Sequence, residues 1–290
     1  MDAARFSLDL KERYETQYRK LDSVVTGLEG EYVETSMGPV WVTTAGEKDA
    51  PPLILIHGLH TTAPFCLEYF SKLAEKFRVY CPDIPGQAGK TSGVALMPTN
   101  HAYALWLEAV LDSLKIESCP AVGLSFGGGV LLDLAVLSPD RITAASLVVP
   151  AGFFRPIWRP LKKLFMPFIG FKLHTDQSHF DQLMNPLMGG NWPELEAYYY
   201  SVFQAGLPMT LIPPGPFEKS DLSEFSAPVQ LLVASEDLYF APDKMARYAN
   251  DNLRNLKQVV EVDDLHIPNE KNRLKIQTEV FEFMLKEKSM

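Results

Sequence analysis

Residues 122–129 read Val-Gly-Leu-Ser-Phe-Gly-Gly-Gly and place Ser125 at the centre of a G-x-S-x-G pattern. A serine hydroxyl attacks an acyl carbon efficiently only when a base takes its proton and a third group holds that base. The pattern suits such a serine because it can sit on a sharp, strained turn between a strand and a helix. A Cβ at Gly123 or Gly127 would crowd that turn. The flanking residues supply its two sides. Cys119 to Val122 reads as a short buried strand, and Val130, Leu131, Leu134, Ala135 and Leu137 follow helical spacing. Without them, the pattern would be a glycine-rich turn with a bystander serine.

The base should be a histidine, the side chain whose ordinary titration lies nearest neutrality. The chain has six: His57, His60, His101, His174, His179 and His266. In this motif class the nucleophile comes first, the acid second and the histidine last. That order selects His266, in Asp263-Asp264-Leu265-His266-Ile267-Pro268, after the last apolar strand. The acid should lie between them at a strand end. Val233-Ala234-Ser235-Glu236-Asp237 offers Asp237, with Glu236 as its rival. A tetrahedral intermediate also needs backbone N–H donors. Phe126, next to the serine, should give one. Leu59, in His57-Gly58-Leu59, should give the other, with Gly58 letting the backbone approach closely. His57, Gly58, Gly123 and Gly127 form the supporting loops.

Nothing in the sequence calls for a metal or a cofactor. There is no H-E-x-x-H, no dinucleotide glycine pattern, and no Lys-Ser/Thr after Gly127-Gly128-Gly129. Cys66, Cys81 and Cys119 are odd in number and widely spaced, which fits neither a disulfide framework nor a metal site.

The elements that must position these residues follow from periodicity. Residues from about Ala3 to Leu28 predict a helix with one apolar stripe, ended by Gly30. Glu31 to Thr44 predicts a hairpin. Pro52 to Ile56 and Arg78 to Cys81 predict buried strands. A helix should follow Thr62 and another Thr99, each capped by that threonine. Strands are expected at Ile142 to Val149, Val229 to Ala234 and Gln258 to Val262. Helices are expected from Pro242 to Leu253 and from Asn269 to Lys286. Between Ala151 and Ser226 the alternation stops. Nine prolines occur from 156 to 216, enough to break any long helix. Alternating strands and helices imply a mostly parallel α/β sheet, eight-stranded, with helices on both faces and an inserted helical cap. The expected organisation is an arm at 1–29, a core at 30–150 and 226–290, and a cap or lid at 151–225.

The 290 residues are 47% hydrophobic and 22% charged, ordinary for a globular domain. A net charge of −9 argues against nucleic acid and anionic membranes as main partners. The N-terminus lacks a signal-peptide layout, and no apolar run is long enough to span a membrane. The expectation is a cytoplasmic monomer or homodimer with a small-molecule substrate.

Together, the apolar strand into His57-Gly58, the loop Asp83-Ile84-Pro85-Gly86-Gln87-Ala88-Gly89, the elbow, Asp237 and His266 resemble the α/β-hydrolase superfamily. The helical arm and the Ala50-Pro51-Pro52 lead-in resemble small bacterial carboxylesterases. The sequence departs at Ala88, inserted in the first loop, and at Ala234 and Leu265, where glycines are usual. The resemblance implies cleavage of a small or medium, uncharged, largely apolar ester through an acyl-enzyme. Thioester, lactone and carbon–carbon cleavage, and perhydrolase or haloperoxidase chemistry, use the same residues. A near-inactive, receptor-like protein of the same fold is the alternative of another class. Apolar residues of the cap, among them Phe153, Trp158, Phe171, Met184 and Trp192, are expected to select the substrate.

Overall fold

The computed structural model describes residues 7–155, 158–190, 192–207 and 212–288, with the side chains of 158–163 excepted. The first residues of the expected N-terminal helix and the side chain of Trp158 lie outside this description. The chain opens with α1 (Leu8–Asp22), then the hairpin β1 (Glu29–Thr35) and β2 (Gly38–Ala45). The strands β3 (Pro52–Ile56), β4 (Arg78–Pro82), β5 (Cys119–Leu124) and β6 (Ile142–Val148) follow. Between them lie α2 (Thr62–Tyr69), α3 (Ala102–Ser113) and α4 (Phe126–Leu137). After β6 come α5 (Trp158–His174), α6 (Gln177–Met184) and α7 (Pro193–Gln204). The alternation then resumes with β7 (Val229–Ala234), α8 (Pro242–Asn252), β8 (Leu256–Val262) and α9 (Glu270–Lys288).

One eight-stranded sheet has the order β1-β2-β4-β3-β5-β6-β7-β8. The β1–β2 and β2–β4 pairs are antiparallel and the rest are parallel. The parallel strands β3 to β7 are largely buried on both faces, which explains their apolar runs, whereas the edge strand β8 is mostly exposed. Leu53 and Leu55 of β3 face the layer holding α1, α2 and α9, while Ile54 and Ile56 face the layer of α3, α4 and α8. Register aligns the strand ends: Ile56 pairs with Gly123, Leu124 with Val148, and Ala234 with Val262. The loops after β3, β5, β7 and β8 therefore emerge along one edge, where ligands meet such sheets.

Three helix ends differ from the sequence expectations. α1 stops at Asp22, because the Ser23 hydroxyl takes the Lys20 carbonyl (2.7 Å). Gly30 is not its terminator and lies in β1, opposite Thr43. The threonines 62 and 99 do not cap their helices. Thr62 has φ 62° and sits inside α2, whose Ala63 N–H donates to Asp83 Oδ1 (2.9 Å). α3 starts after His101, at φ 54°, and its Ala104 N–H donates to Asp133 Oδ2 (3.0 Å). Carboxylates from distant loops and helices supply both caps, and negative charge suits a helix N-terminus. Nor do the prolines break every helix: α5 runs 17 residues with Pro167 inside it. A proline removes one hydrogen bond there, and the helix continues on both sides.

Candidate active site

Ser125 links β5 to α4 with φ 49° and ψ −109°, a strained conformation for a residue with a side chain. Its neighbours hold it there. Its N–H donates to the Val148 carbonyl (2.8 Å), and its carbonyl accepts from Gly128 and Ala151 (both 2.9 Å). The flanking glycines are needed for space. A Cβ on Gly123 would lie 2.8 Å from the Gly127 carbonyl oxygen, and one on Gly127 would run into the Ile56 carbonyl.

Ser125 Oγ lies 2.9 Å from His266 Nε2. His266 Nδ1 lies 2.7 Å from Asp237 Oδ2. The carboxylate can only accept, so Nδ1 carries the proton and Nε2 is left to accept from the serine hydroxyl. The Asp237 side chain is fully buried. Its second oxygen, Oδ1, accepts from the backbone N–H groups of Tyr239 (2.7 Å) and Phe240 (3.1 Å). Glu236 is exposed to solvent, and only its backbone N–H reaches this region, bonded to the Asp264 carbonyl (3.0 Å). The rings of Tyr239 and Phe240 pack on the imidazole at 5.1 and 5.9 Å between centroids. They cover it, and His266 is 9% exposed.

Asp264 organises the loop before His266. It accepts from the N–H of Leu265 (2.8 Å) and of Asn269 (2.9 Å), and from the side-chain amides of Asn269 (2.5 Å) and Asn272 (2.7 Å). The far side of the loop pairs with the chain between α6 and α7. Ile267 N–H donates to the Leu187 carbonyl and Gly189 N–H to the Ile267 carbonyl, each at 2.8 Å.

Phe126 opens α4, and its N–H belongs to the first turn, where a helix has no internal acceptor. Gly58 lies against the serine: a Cβ there would be 3.6 Å from Ser125 Cβ. Leu59 follows it. His57 is wholly buried beneath this loop. Its Nε2 accepts from Ile84 N–H (3.0 Å), so its proton is on Nδ1, which donates to the Gly58 carbonyl (2.7 Å). Burial holds its pKa down at about 4, so it is neutral and cannot serve as a cationic group. Asp83, in the loop after β4, is pushed up to about 6 by burial, against the pull of hydrogen bonds from Lys90 and Ala63 N–H.

The remaining histidines have other partners, and His60 sits in the same loop as Leu59. His60 is buried and its Nδ1 accepts from Ala88 N–H (3.1 Å). His101 pairs with Asp133 (2.8 Å). His174 and His179 stack on each other at 5.2 Å. Among the described residues, no group of histidine, cysteine and carboxylate side chains is placed to hold a metal ion. No described helix is long and apolar enough to cross a membrane.

Sequence reasoning missed Gln87, Gly189, Tyr199, Tyr239, Phe240 and Asp264. Gln87 and Asp264 stand in loops singled out for other residues, and the other four carry no motif. Of the residues expected to face the substrate, Phe153 stacks on Tyr248 at 4.3 Å and Phe171 packs among Phe180, Tyr200 and Phe203. Trp192 lies between Phe65, Tyr69 and the Arg273 guanidinium. Met184 is buried with them in the same layer.

A parallel sheet that presents an elbow serine, a histidine and a buried aspartate at its carboxyl edge defines an α/β-hydrolase arrangement. The chain belongs to the alpha/beta hydrolase family, whose profile matches residues 53–273. It is 34% identical over 123 residues to "Carboxylesterase YbfK" of Bacillus subtilis (strain 168). That stretch is 42% of this chain and 42% of the relative. A second protein of that strain, "Uncharacterized carboxylesterase nap", is 34% identical over 125 residues, 43% of this chain and 42% of its own. The matched stretch thus spans less than half the length of these curated relatives. The fold similarity extends further. The crystal structure of naproxen esterase (carboxylesterase NP) from Bacillus subtilis superposes with a TM-score of 0.78 at 23% identity, over 96% of this chain and 99% of that one.

Proposed function

We propose that the protein is a carboxylesterase-type serine hydrolase that cleaves small or medium, uncharged, largely apolar esters. One observation carries the reading: the hydrogen-bonded series from Ser125 Oγ to His266 to Asp237, at 2.9 and 2.7 Å. The carboxylesterase names of the two relatives support the choice of ester over other acyl compounds.

Ser125 Oγ attacks the ester carbonyl carbon as its proton passes to His266 Nε2. The carbonyl π-pair moves onto oxygen, and the N–H groups of Leu59 and Phe126 stabilise that oxyanion. Its collapse breaks the ester C–O bond, and His266 returns the proton to the departing alcohol. Water then attacks the acyl-serine with His266 again as base, releasing the acid and restoring Ser125. Asp237 keeps the imidazole in one tautomer and stabilises its protonated form. The backbone bonds from Tyr239 and Phe240 to Oδ1 leave Oδ2 to His266.

In this reading 1–29 is an arm, 30–150 with 226–290 the catalytic core, and 151–225 a cap over the site. The protein works as a monomer or homodimer without cofactor, in the cytoplasm, and binds neither nucleic acid nor, stably, membranes. A fluorophosphonate probe read by intact mass tests the nucleophile. One adduct is expected on the native protein and none on a folded Ser125→Ala variant. A p-nitrophenyl ester series tests the substrate class. Each buried CH₂ is worth roughly 0.8 kcal/mol, so kcat/KM should rise about fourfold per carbon until the pocket is full, then fall. Labelling of the alanine variant at the native rate, or thioesters turned over far faster than matched esters, would overturn the assignment.

A further inference from the structure

Oxyanion stabilisation depends on where an N–H points, and a backbone N–H is aimed only as well as its peptide plane is held. The loop after β3 is irregular, with His60 at φ 54°, so regular secondary structure does not hold it. Two successive peptide planes there are fixed by hydrogen bonds, the first from within the loop and the second from outside it. The Gly58–Leu59 plane contains the Leu59 N–H. Its carbonyl, Gly58 O, accepts from His57 Nδ1 (2.7 Å) and from Thr61 N–H (3.1 Å). The Leu59–His60 plane is gripped at both ends. Its carbonyl accepts from the Tyr199 hydroxyl (2.9 Å), and its N–H donates to Gln87 Oε1 (2.6 Å).

The two grips come from different parts of the chain. Gln87 belongs to the loop after β4. Its neighbour Ala88, the extra residue of that loop, donates its N–H to His60 Nδ1 (3.1 Å). Tyr199 lies on α7, between β6 and β7, and is 7% exposed. The preceding residue, Tyr198, is buried and donates its hydroxyl to the Ala88 carbonyl. Consecutive tyrosines of one helix thus hold the loop after β3 and the loop after β4. The Tyr199 hydroxyl also lies 3.2 Å from Thr61 Oγ1. Burial pushes its pKa up to about 12, so it stays protonated and able to donate.

We propose that Tyr199 and Gln87 are positioning residues: by bonding the two ends of the Leu59–His60 peptide, they fix the plane that follows Leu59 and so, together with the bonds to Gly58 O, hold the oxyanion-binding Leu59 N–H in its direction. The proposal rests on the ester-hydrolase reading above. It also makes the inserted segment part of the catalytic apparatus, since α7 supplies one of the two grips.

The test uses Tyr199→Phe, Gln87→Leu and the double variant of the full chain. The readouts are kcat and KM on a p-nitrophenyl ester, Ki for an alkyl trifluoromethyl ketone that forms a tetrahedral adduct, and Tm. Loss of a whole oxyanion donor costs about 10²–10³-fold in kcat, and a misaimed donor less. Each single variant should lose about 10-fold in kcat with KM within about twofold. The ketone should bind weaker by the same factor as kcat. Because both residues hold one plane, the double variant should lose little more than the worse single variant. Tyr199→Phe deletes one oxygen from a buried ring and should fold, which keeps the test alive if Gln87→Leu does not. A kcat and a ketone Ki within twofold of native in Tyr199→Phe would overturn the proposal, as would multiplicative losses in the double variant. Ser125→Ala separates the two readings. If it keeps its activity, the ester-hydrolase assignment fails; if it is inactive while Tyr199→Phe is native-like, only the positioning role fails.

Discussion

At the scale of single residues, Asp237 and Glu236 are adjacent carboxylates in opposite environments. The Asp237 side chain is buried with both oxygens engaged, one on His266 and one on two backbone N–H groups. Glu236 is exposed. Asp237→Asn should therefore cost on the order of 10⁴-fold in kcat, by analogy with the loss of the acid in serine proteases. Glu236→Gln should stay within about twofold of native. Steady-state kinetics on one ester decide it, and a larger loss from Glu236→Gln would assign the acid to the wrong residue. A second pair, His57 and Asp83, bears on how stability depends on pH. Burial lowers His57 from 6.5 to about 4. Its contribution is complete above 6.5 and is lost as pH falls to about 4. Burial raises Asp83 from 3.8 to about 6. Its contribution is complete below 3.8 and is lost as pH rises through 6. Each is worth up to about 3 kcal/mol at 1.36 kcal/mol per pH unit, and between pH 4 and 6 they oppose each other. Asp83→Asn removes one of the two, so its Tm should climb more steeply from pH 4 to 6 than that of the native protein. Parallel Tm curves would show that Asp83 does not titrate in this window.

At the scale of elements, the loop before His266 joins Asp264 to the chain between α6 and α7. A Cβ on Gly189 would overlap Asp264 Oδ1, the atom that accepts from Leu265 N–H. Gly189→Ala must displace either the carboxylate or the Leu187–Gly189 turn, and both are bonded to the loop that carries His266. The expected outcome is at least a 10-fold fall in kcat with a lower Tm, and slower fluorophosphonate labelling of Ser125. Native labelling and kcat would mean that the loop holds His266 without this turn. The contrast between Gly127 and Gly189 shows what a sequence can reveal. Gly127 lies two residues from Ser125, so its need for space is written into a local pattern. Gly189 makes room for a carboxylate 75 positions away, and no spacing announces it. The same limit explains the helix starts. Thr62 and Thr99 looked like caps because capping is usually local, but Asp83 and Asp133 do that work from 20 and 29 residues away. Strands and the strand–elbow–helix turn were legible because periodicity is one-dimensional, and chain order pointed to Asp237 and His266 as candidates. Tyr199 and Gln87 were not, because they act on one peptide plane from positions 112 residues apart.

At the scale of the whole molecule, α1 reaches the site indirectly, through α7. It packs Leu10, Tyr14 and Leu21, all fully buried, into the layer shared with α2 and α7. Its polar ties run to the same neighbours and to the loop after β4. The Tyr14 hydroxyl donates to Asp83 Oδ2 (2.9 Å), Gln17 to Glu68 (2.7 Å), and Lys20 bridges Glu68 and Glu194 (both 2.9 Å). Two effects compete to explain what seats α1: apolar burial and ion pairing. The Lys20 side chain is 42% exposed, and ion pairs at that exposure are worth about 0–1 kcal/mol. A leucine with no exposed surface costs about 2–5 kcal/mol when cut to alanine, because a cavity adds to the lost transfer energy. Burial should win. Leu10→Ala should lower Tm by several degrees at any ionic strength. Lys20→Met should change it little, and less still at high salt. Because α7 carries Tyr199, loosening α1 should also loosen the grip on the Leu59 carbonyl. Leu10→Ala should then lose kcat well below its Tm, in proportion to its loss of affinity for a trifluoromethyl ketone. If Lys20→Met proves the more destabilising, burial does not seat α1; if Leu10→Ala lowers Tm and leaves kcat native at 25 °C, α1 is not coupled to the site through α7.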